Sequence, residues 1–255
     1  MITRYRAQLD GVQLDSLDDS IYITDITEDA PKINVSAVTK PGDGLYVTRM
    51  RRESLQVTIK VMVRKRDPAA RQLVIDKIAG WTNGTDLITS TRTGKHLRCV
   101  CVGLAAHGSA LEWTEPISIT MMAYEVPWWE NVSAERFILS NVSQATQEII
   151  IHGTDAAPLY CEIVNVSGDN INTLTIATGS SMLLLAGLAM APNDALRISY
   201  DNKDRMKIDI GGRSCYNCLQ PQSSDLLMVS AGNDVLNITA DHTVNATLSY
   251  SPRWR

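Results

Sequence analysis

Neither sign of charge is in surplus along this chain: 24 Lys and Arg stand against 28 Asp and Glu, the formal net charge is -4 and the pI is about 5.6. A general grip on DNA, RNA or anionic lipid needs a basic excess, so a sequence-specific nucleic-acid partner is not expected. No apolar run is long enough to cross a bilayer as a helix. The longest, Met182 to Met190 (MLLLAGLAM), is about half of the ~20 residues required and reads as a core strand or two, so membrane insertion is not expected. The first residues, MITRYRAQLDGVQ, show no apolar stretch followed by a small-residue cleavage site, and export through an N-terminal signal is not expected either.

Cysteine is sparse, and the five present form no regular disulfide framework, which points to folding in a reducing compartment. Cys215 and Cys218 have the spacing of half a zinc or redox site. A structural zinc needs about four ligands, and a thioredoxin-type pair opens a helix after a strand. The sequence offers no second pair and no such helix, so the two read as small buried hydrophobes or free surface thiols. Phosphate-binding and dinucleotide-binding fingerprints are also lacking, since GDG and GG are turn signals and no G-x-G-x-x-G joins a strand to a helix. The four histidines, His96, His107, His152 and His242, are scattered, with no H-E-x-x-H. Glu112, Glu115 and Glu125 lie near Trp113, Trp128 and Trp129, as the lining of a sugar cleft would, but large rings that follow a strand and Pro127 fit a closed core or an interface better. No nucleophile can be matched with a base, so no catalytic residue, metal or cofactor is expected and the chain does not read as an enzyme.

What is present is strand pattern. With 255 residues, 44% hydrophobic and 20% charged, the chain can bury one large core or two smaller ones. Alternating runs cover Ile21 to Thr27, Ile33 to Val38 and Leu55 to Val63; in the last of these Leu55, Val57, Ile59, Val61 and Val63 share one side. Between them KPGDGLY, from Lys40 to Tyr46, concentrates turn chemistry in a projecting tip. Asp67 followed by Pro68 is a helix-start signal, and Leu73, Val74, Ile78 and Trp81 recur near a 3.6 period, predicting one helix over 67–81 with those four residues on its buried face. More strands follow to Tyr124. From Phe137 onward there are only short strands separated by Gly, Pro, Asn or Asp, the spacing of a β-sandwich. The expected class is therefore mainly β, with a first domain at 1–133 carrying the one helix and a second at 134–255.

The order of these segments resembles the distal tail proteins of long, flexible-tailed (siphovirus) bacteriophages. The resemblance is carried by DDSIYITDI and Pro31, by KPGDGLYVTRMRRESLQVTIKVMV, by DPAARQLVIDKIAGW, and near the end by DNKDRMKIDIGG, LLMVSAGNDVLNI and SYSPRWR. It implies a β-barrel-like, ring-forming hub domain at 1–133, a galectin-like β-sandwich at 134–255, and a homo-oligomer of six copies around a channel. It also implies the tail tube protein and the central tail-tip protein as partners, receptor-binding proteins as further ones, and a place at the distal end of the virion tail after synthesis in the host cytoplasm. The sandwich holds no large insert, so sugar binding by this copy is not implied. In such a ring Lys40, Asp43, Tyr46, Arg49, Arg51, Arg52, Glu53, Arg64 and Arg66 are the candidate inter-subunit or channel contacts, because the charge of this stretch is dense yet balanced over residues 1–134. The alternatives are another tail or baseplate subunit, or a carbohydrate-binding module of the adsorption device.

Overall fold

A computed structural model describes residues 5–29, 33–39, 45–52, 54–106, 114–124, 128–201 and 205–254. The chain divides into two compact units, Met1–Trp129 and Glu130–Arg255. Both are built from strands, and among the described residues the single α-helix lies in the first.

In the first unit the principal strands are β1 (Ala7–Leu9), β2 (Ile21–Asp29), β3 (Ile33–Thr39), β4 (Leu45–Arg52), β5 (Gln56–Arg64), β6 (Asp86–Thr89), β7 (Lys95–Ala106) and β8 (Thr114–Ala123), with helix α1 (Pro68–Trp81) between β5 and β6. One antiparallel sheet runs in the order β1-β6-β7-β8-β5-β2. Strand β5 alternates completely: Val57, Ile59, Val61 and Val63 are all buried, while Thr58, Lys60 and Met62 face the other side. It pairs with β2 on one edge and β8 on the other. Its buried side meets Ile117, Ile119 and Met121 of β8, which alternate in the same way.

Helix α1 starts where the cap chemistry puts it. The Asp67 carboxylate accepts from the amides of Ala69 at 3.2 Å and Ala70 at 3.1 Å, and Pro68 occupies the first helical position, where its missing N–H costs nothing. Val74, Ile78 and Trp81 are buried, and the helix packs on β5. Leu73 is a correction: it is 64% exposed. At about 100° per residue, positions 74, 78 and 81 line one stripe, while 73 falls with Ala70 and Lys77 on the neighbouring, solvent-facing one. Beyond the helix, Gly84 is held so near β1 that an added Cβ would lie 2.6 Å from the Leu9 side chain.

In the second unit the principal strands are β9 (Glu135–Ile151), β10 (Tyr160–Asn165), β11 (Ile171–Ala177), β12 (Met182–Met190), β13 (Ala195–Tyr200), β14 (Met206–Ile210) and β15 (Gly232–Tyr250). Here the structure merges what the sequence divides. FILS and TQEIII belong to one strand, β9, and NDVLNITA and VNATLSY to another, β15. The two pair antiparallel from Glu135↔Tyr250 to Ile151↔Gly232. A straight strand of 17 residues would span roughly 56 Å, yet the residue after its end, His152, reaches its beginning: the His152 amide donates to the Tyr250 hydroxyl at 2.9 Å, and that hydroxyl donates to Glu135 at 2.6 Å.

The ribbon is therefore folded over on itself. Register shifts between Leu139 and Gln144, with Asn141 at φ 55°, supply the bend. On the outer side of β15, Val244–Ser249 pair with β10 and Asn237–Ala240 with β11, so the two halves of one ribbon carry the strand sets β10-β13-β14 and β11-β12. Leu236, Ile238, Val244, Ala246 and Leu248 of β15 join Ile163, Leu174, Ile176, Leu183, Leu185, Ile198 and Ile208 in one continuous core.

Candidate assembly surfaces

Among the described residues, strands β3 and β4 form a two-stranded antiparallel sheet that pairs with no other strand. The register sets Arg49 opposite Ser36, Arg51 opposite Asn34 and Arg52 opposite Ile33, with Tyr46 opposite Val38 and a shift between Ser36 and Ala37. A ribbon of two strands is marginal alone in water and needs a further neighbour. Of the expected contact residues, Tyr46, Arg49, Arg51 and Arg52 therefore sit together on β4. Lys40, Asp43 and Glu53 lie outside the described residues.

The other expected contacts are Arg64, which ends β5, and Arg66 just beyond it. Arg64 and Arg66 are both exposed, and the Arg64 guanidinium lies 4.8 Å from the centre of the Tyr22 ring. Much of the remaining basic run is engaged within the chain. Lys60 pairs with Asp25 at 3.1 Å, Arg71 with Glu115 at 3.1 Å, and Lys65 and Lys77 both reach Asp18, at 3.2 and 3.6 Å. The Ser20 hydroxyl and amide both donate to Asp18, and together with Lys65 they hold its carboxyl down to about 2. Only some of the locally dense positive charge is thus free to face a partner, a distinction that the sequence does not carry.

The chemical candidates disperse. Trp129 is fully buried, and Glu115 is spent on Arg71, while Glu112, Trp113 and Glu125 lie outside the described residues. His96 pairs with Asp86 at 2.6 Å and His152 with Glu135 at 2.8 Å, in separate units. Among the described residues no three His, Cys, Asp or Glu side chains gather as a metal would require. One arrangement that sequence reading missed is a buried ion pair in the second unit: Arg253 Nε donates to Glu130 Oε1 at 2.9 Å, with both side chains under a tenth exposed. Beside it the Trp254 indole N–H donates to Asn131 Oδ1 at 2.8 Å. The polar ends of SYSPRWR gave no signal of this pairing, because its partner lies 123 residues away.

No protein-family model matches the chain, and no curated protein matches it in sequence. Solved structures do. The crystal structure of SPP1 Dit, described as a paradigm of the hub adsorption apparatus in phages that infect Gram-positive hosts, superposes with a TM-score of 0.78, covering 99% of this chain and 100% of that one at 12% identity. The fold is that of Dit. A chain of the phage P2 baseplate, in its activated conformation with Ca, matches at a TM-score of 0.50 and 9% identity, over 99% of this chain and 98% of that one. The Dit fold accounts for both units at once, since the match leaves almost no residue of either chain uncovered.

Proposed function

We propose that this chain is a structural hub of a bacteriophage tail tip. The first unit, Met1–Trp129, forms a closed ring of six copies around an open channel, and the second, Glu130–Arg255, forms a galectin-like sandwich that faces outward. The ring joins the tail tube protein on one side to the central tail-tip protein on the other, and receptor-binding proteins attach at its periphery. The hub sits at the distal end of the virion tail.

The observation that carries this reading is the end-to-end match to SPP1 Dit at a TM-score of 0.78. The separate β3–β4 ribbon supports it. A head-to-tail ring gives each subunit two different contact surfaces, and a two-stranded ribbon gains from a neighbour the third layer that it lacks among the described residues. In this reading Tyr46, Arg49, Arg51 and Arg52 on β4, with Arg64 and Arg66 at the end of β5, face a neighbour or the channel.

The test is a charge reversal. Arg49→Glu with Arg51→Glu should lower the average mass seen by light scattering over a concentration series, with circular dichroism unchanged. A reversed protein that assembles as the parent does would remove β4 from the interface.

A further inference from the structure

The pair Cys215 and Cys218 takes no part in the surfaces above. Residues Arg213–Ser214 pair back onto β14, and the chain then enters one 3-10 turn, Tyr216–Cys218, led by Cys215. The sequence offers no helix after this strand; the structure has a single turn, too short to leave a periodic pattern. Two bonds fix it: the Cys215 amide donates to the Ile208 carbonyl at 2.9 Å, and the Cys218 amide donates to the Cys215 carbonyl at 3.0 Å.

A turn closed from the fourth residue to the first brings their Cα atoms within about 7 Å. A disulfide needs roughly 4.4–6.8 Å, and side chains three apart in a 3-10 turn lie one above the other. Both cysteines line one cavity of about 270 Å³, with Gly187, Leu188, Ile210 and Arg213 among its walls. Each thiol is held by a contact that a new bond can displace: Cys215 Sγ lies 3.3 Å from the Arg213 carbonyl oxygen, and Cys218 Sγ lies 3.4 Å from that of Gly187.

The remaining three cysteines are placed differently. Cys99 and Cys101 are two apart on β7, where the strand rise separates them by about 6.6 Å, beyond the roughly 3.5–4.5 Å between the Cβ atoms of a disulfide. Cys161 belongs to the same core as Cys215 and Cys218 but does not line their cavity, and burial pushes its thiol far up. Burial also pushes the Cys99 thiol up, to about 12.

We propose that Cys215 and Cys218 are a redox site that closes to a reversible intramolecular disulfide when a small-molecule disulfide is the oxidant. The Cys215 thiolate attacks one sulfur of the oxidant, forming a mixed disulfide and releasing one small thiolate. The Cys218 thiolate then attacks the Cys215 sulfur and releases the second. The two protons lost by the cysteines end on the two released thiolates, so the chain is oxidised by two electrons and the oxidant is reduced by two. Burial, and after it the neighbouring Cys218, raises the Cys215 pKa, so the reaction quickens as pH rises. The closed bond would stiffen the turn that links β14 to β12, where Leu219 bridges Leu185 and the Gln220 amide bonds to the Leu184 carbonyl. This site is independent of the hub reading.

The experiment treats the full-length protein, freed of reductant, with oxidised glutathione in mildly alkaline buffer. The protein is then acid-quenched, unfolded, alkylated and mapped. Two of the five cysteines should escape alkylation, and the tryptic peptide spanning 214–253 should be lighter by two hydrogens than its fully reduced, unalkylated form. Dithiothreitol should restore both thiols. Cys218→Ser should keep one glutathione on Cys215, because nothing is left to resolve it, and Cys215→Ser, which lacks the attacking thiolate, should form no disulfide. The proposal is overturned if the native wild type keeps five alkylated thiols, if it holds a glutathione adduct without closing, or if protection maps to Cys99, Cys101 or Cys161.

Discussion

Removing Arg253 isolates the energetics of the second unit most cleanly. Its side chain is 5% exposed and that of Glu130 8%, and they meet at 2.9 Å. Two unit charges about 4 Å apart interact by about 4 kcal/mol at an effective dielectric near 20, and deleting one member of a buried pair also strands the other without water. Arg253→Met or Glu130→Gln alone should each cost about 3–5 kcal/mol. The double variant Glu130→Leu, Arg253→Met removes both charges and keeps the volume, so it should cost far less than the two single changes together. Urea unfolding followed by circular dichroism and by tryptophan fluorescence gives all three values. Single changes that cost under about 1 kcal/mol, or a double that equals their sum, would refute the assignment of a coupled, desolvated pair.

Other consequences are as direct. Trp81→Ala should cost about 3–5 kcal/mol in urea unfolding, since the ring is buried and its N–H donates to the Val12 carbonyl at 2.8 Å; Trp81→Phe should keep much of the packing and lose that bond, worth about 1 kcal/mol. Leu73→Glu should stay within about 0.5 kcal/mol of the parent, whereas Ile78→Ala should cost about 2–5 kcal/mol. Asp18 has a folded pKa of about 2 against an ordinary 3.8, so its contribution is complete above 3.8 and is lost as pH falls through 2. Acid titration of Asp18→Asn should accordingly show a shallower loss of stability between those two values than the parent.

Legibility in the sequence followed the range of the interactions. Strand β5 could be read because its apolar residues alternate without a break from Leu55 to Val63, and helix α1 because Asp67 and Pro68 announce a start before a 3.6 period. Leu73 was misplaced because a cluster of two adjacent apolar residues fixes the helix face only to within one residue's rotation. The fold in the β9–β15 ribbon was hidden for another reason. Its bend depends on Asn141 taking a positive φ in a polar stretch, SNVSQAT, which reads equally well as a loop between two strands. The ion pair of Glu130 and Arg253 depends on contact across most of the unit, and local pattern carries no trace of it. For the candidate contacts, sequence marks Arg49, Arg51 and Arg52 as a cluster, but only the structure distinguishes the exposed Arg66 from Lys65 and Arg71, which are already committed to Asp18 and Glu115.

The central claim is that copies of this chain close into a ring. Native mass spectrometry of the full-length protein, alone and mixed with the tail tube and central tail-tip proteins of the same virion, measures it directly, with negative-stain imaging of the same samples. The account predicts six copies in a closed ring with a central opening in at least one of these settings. A protein that stays monomeric in both would contradict it.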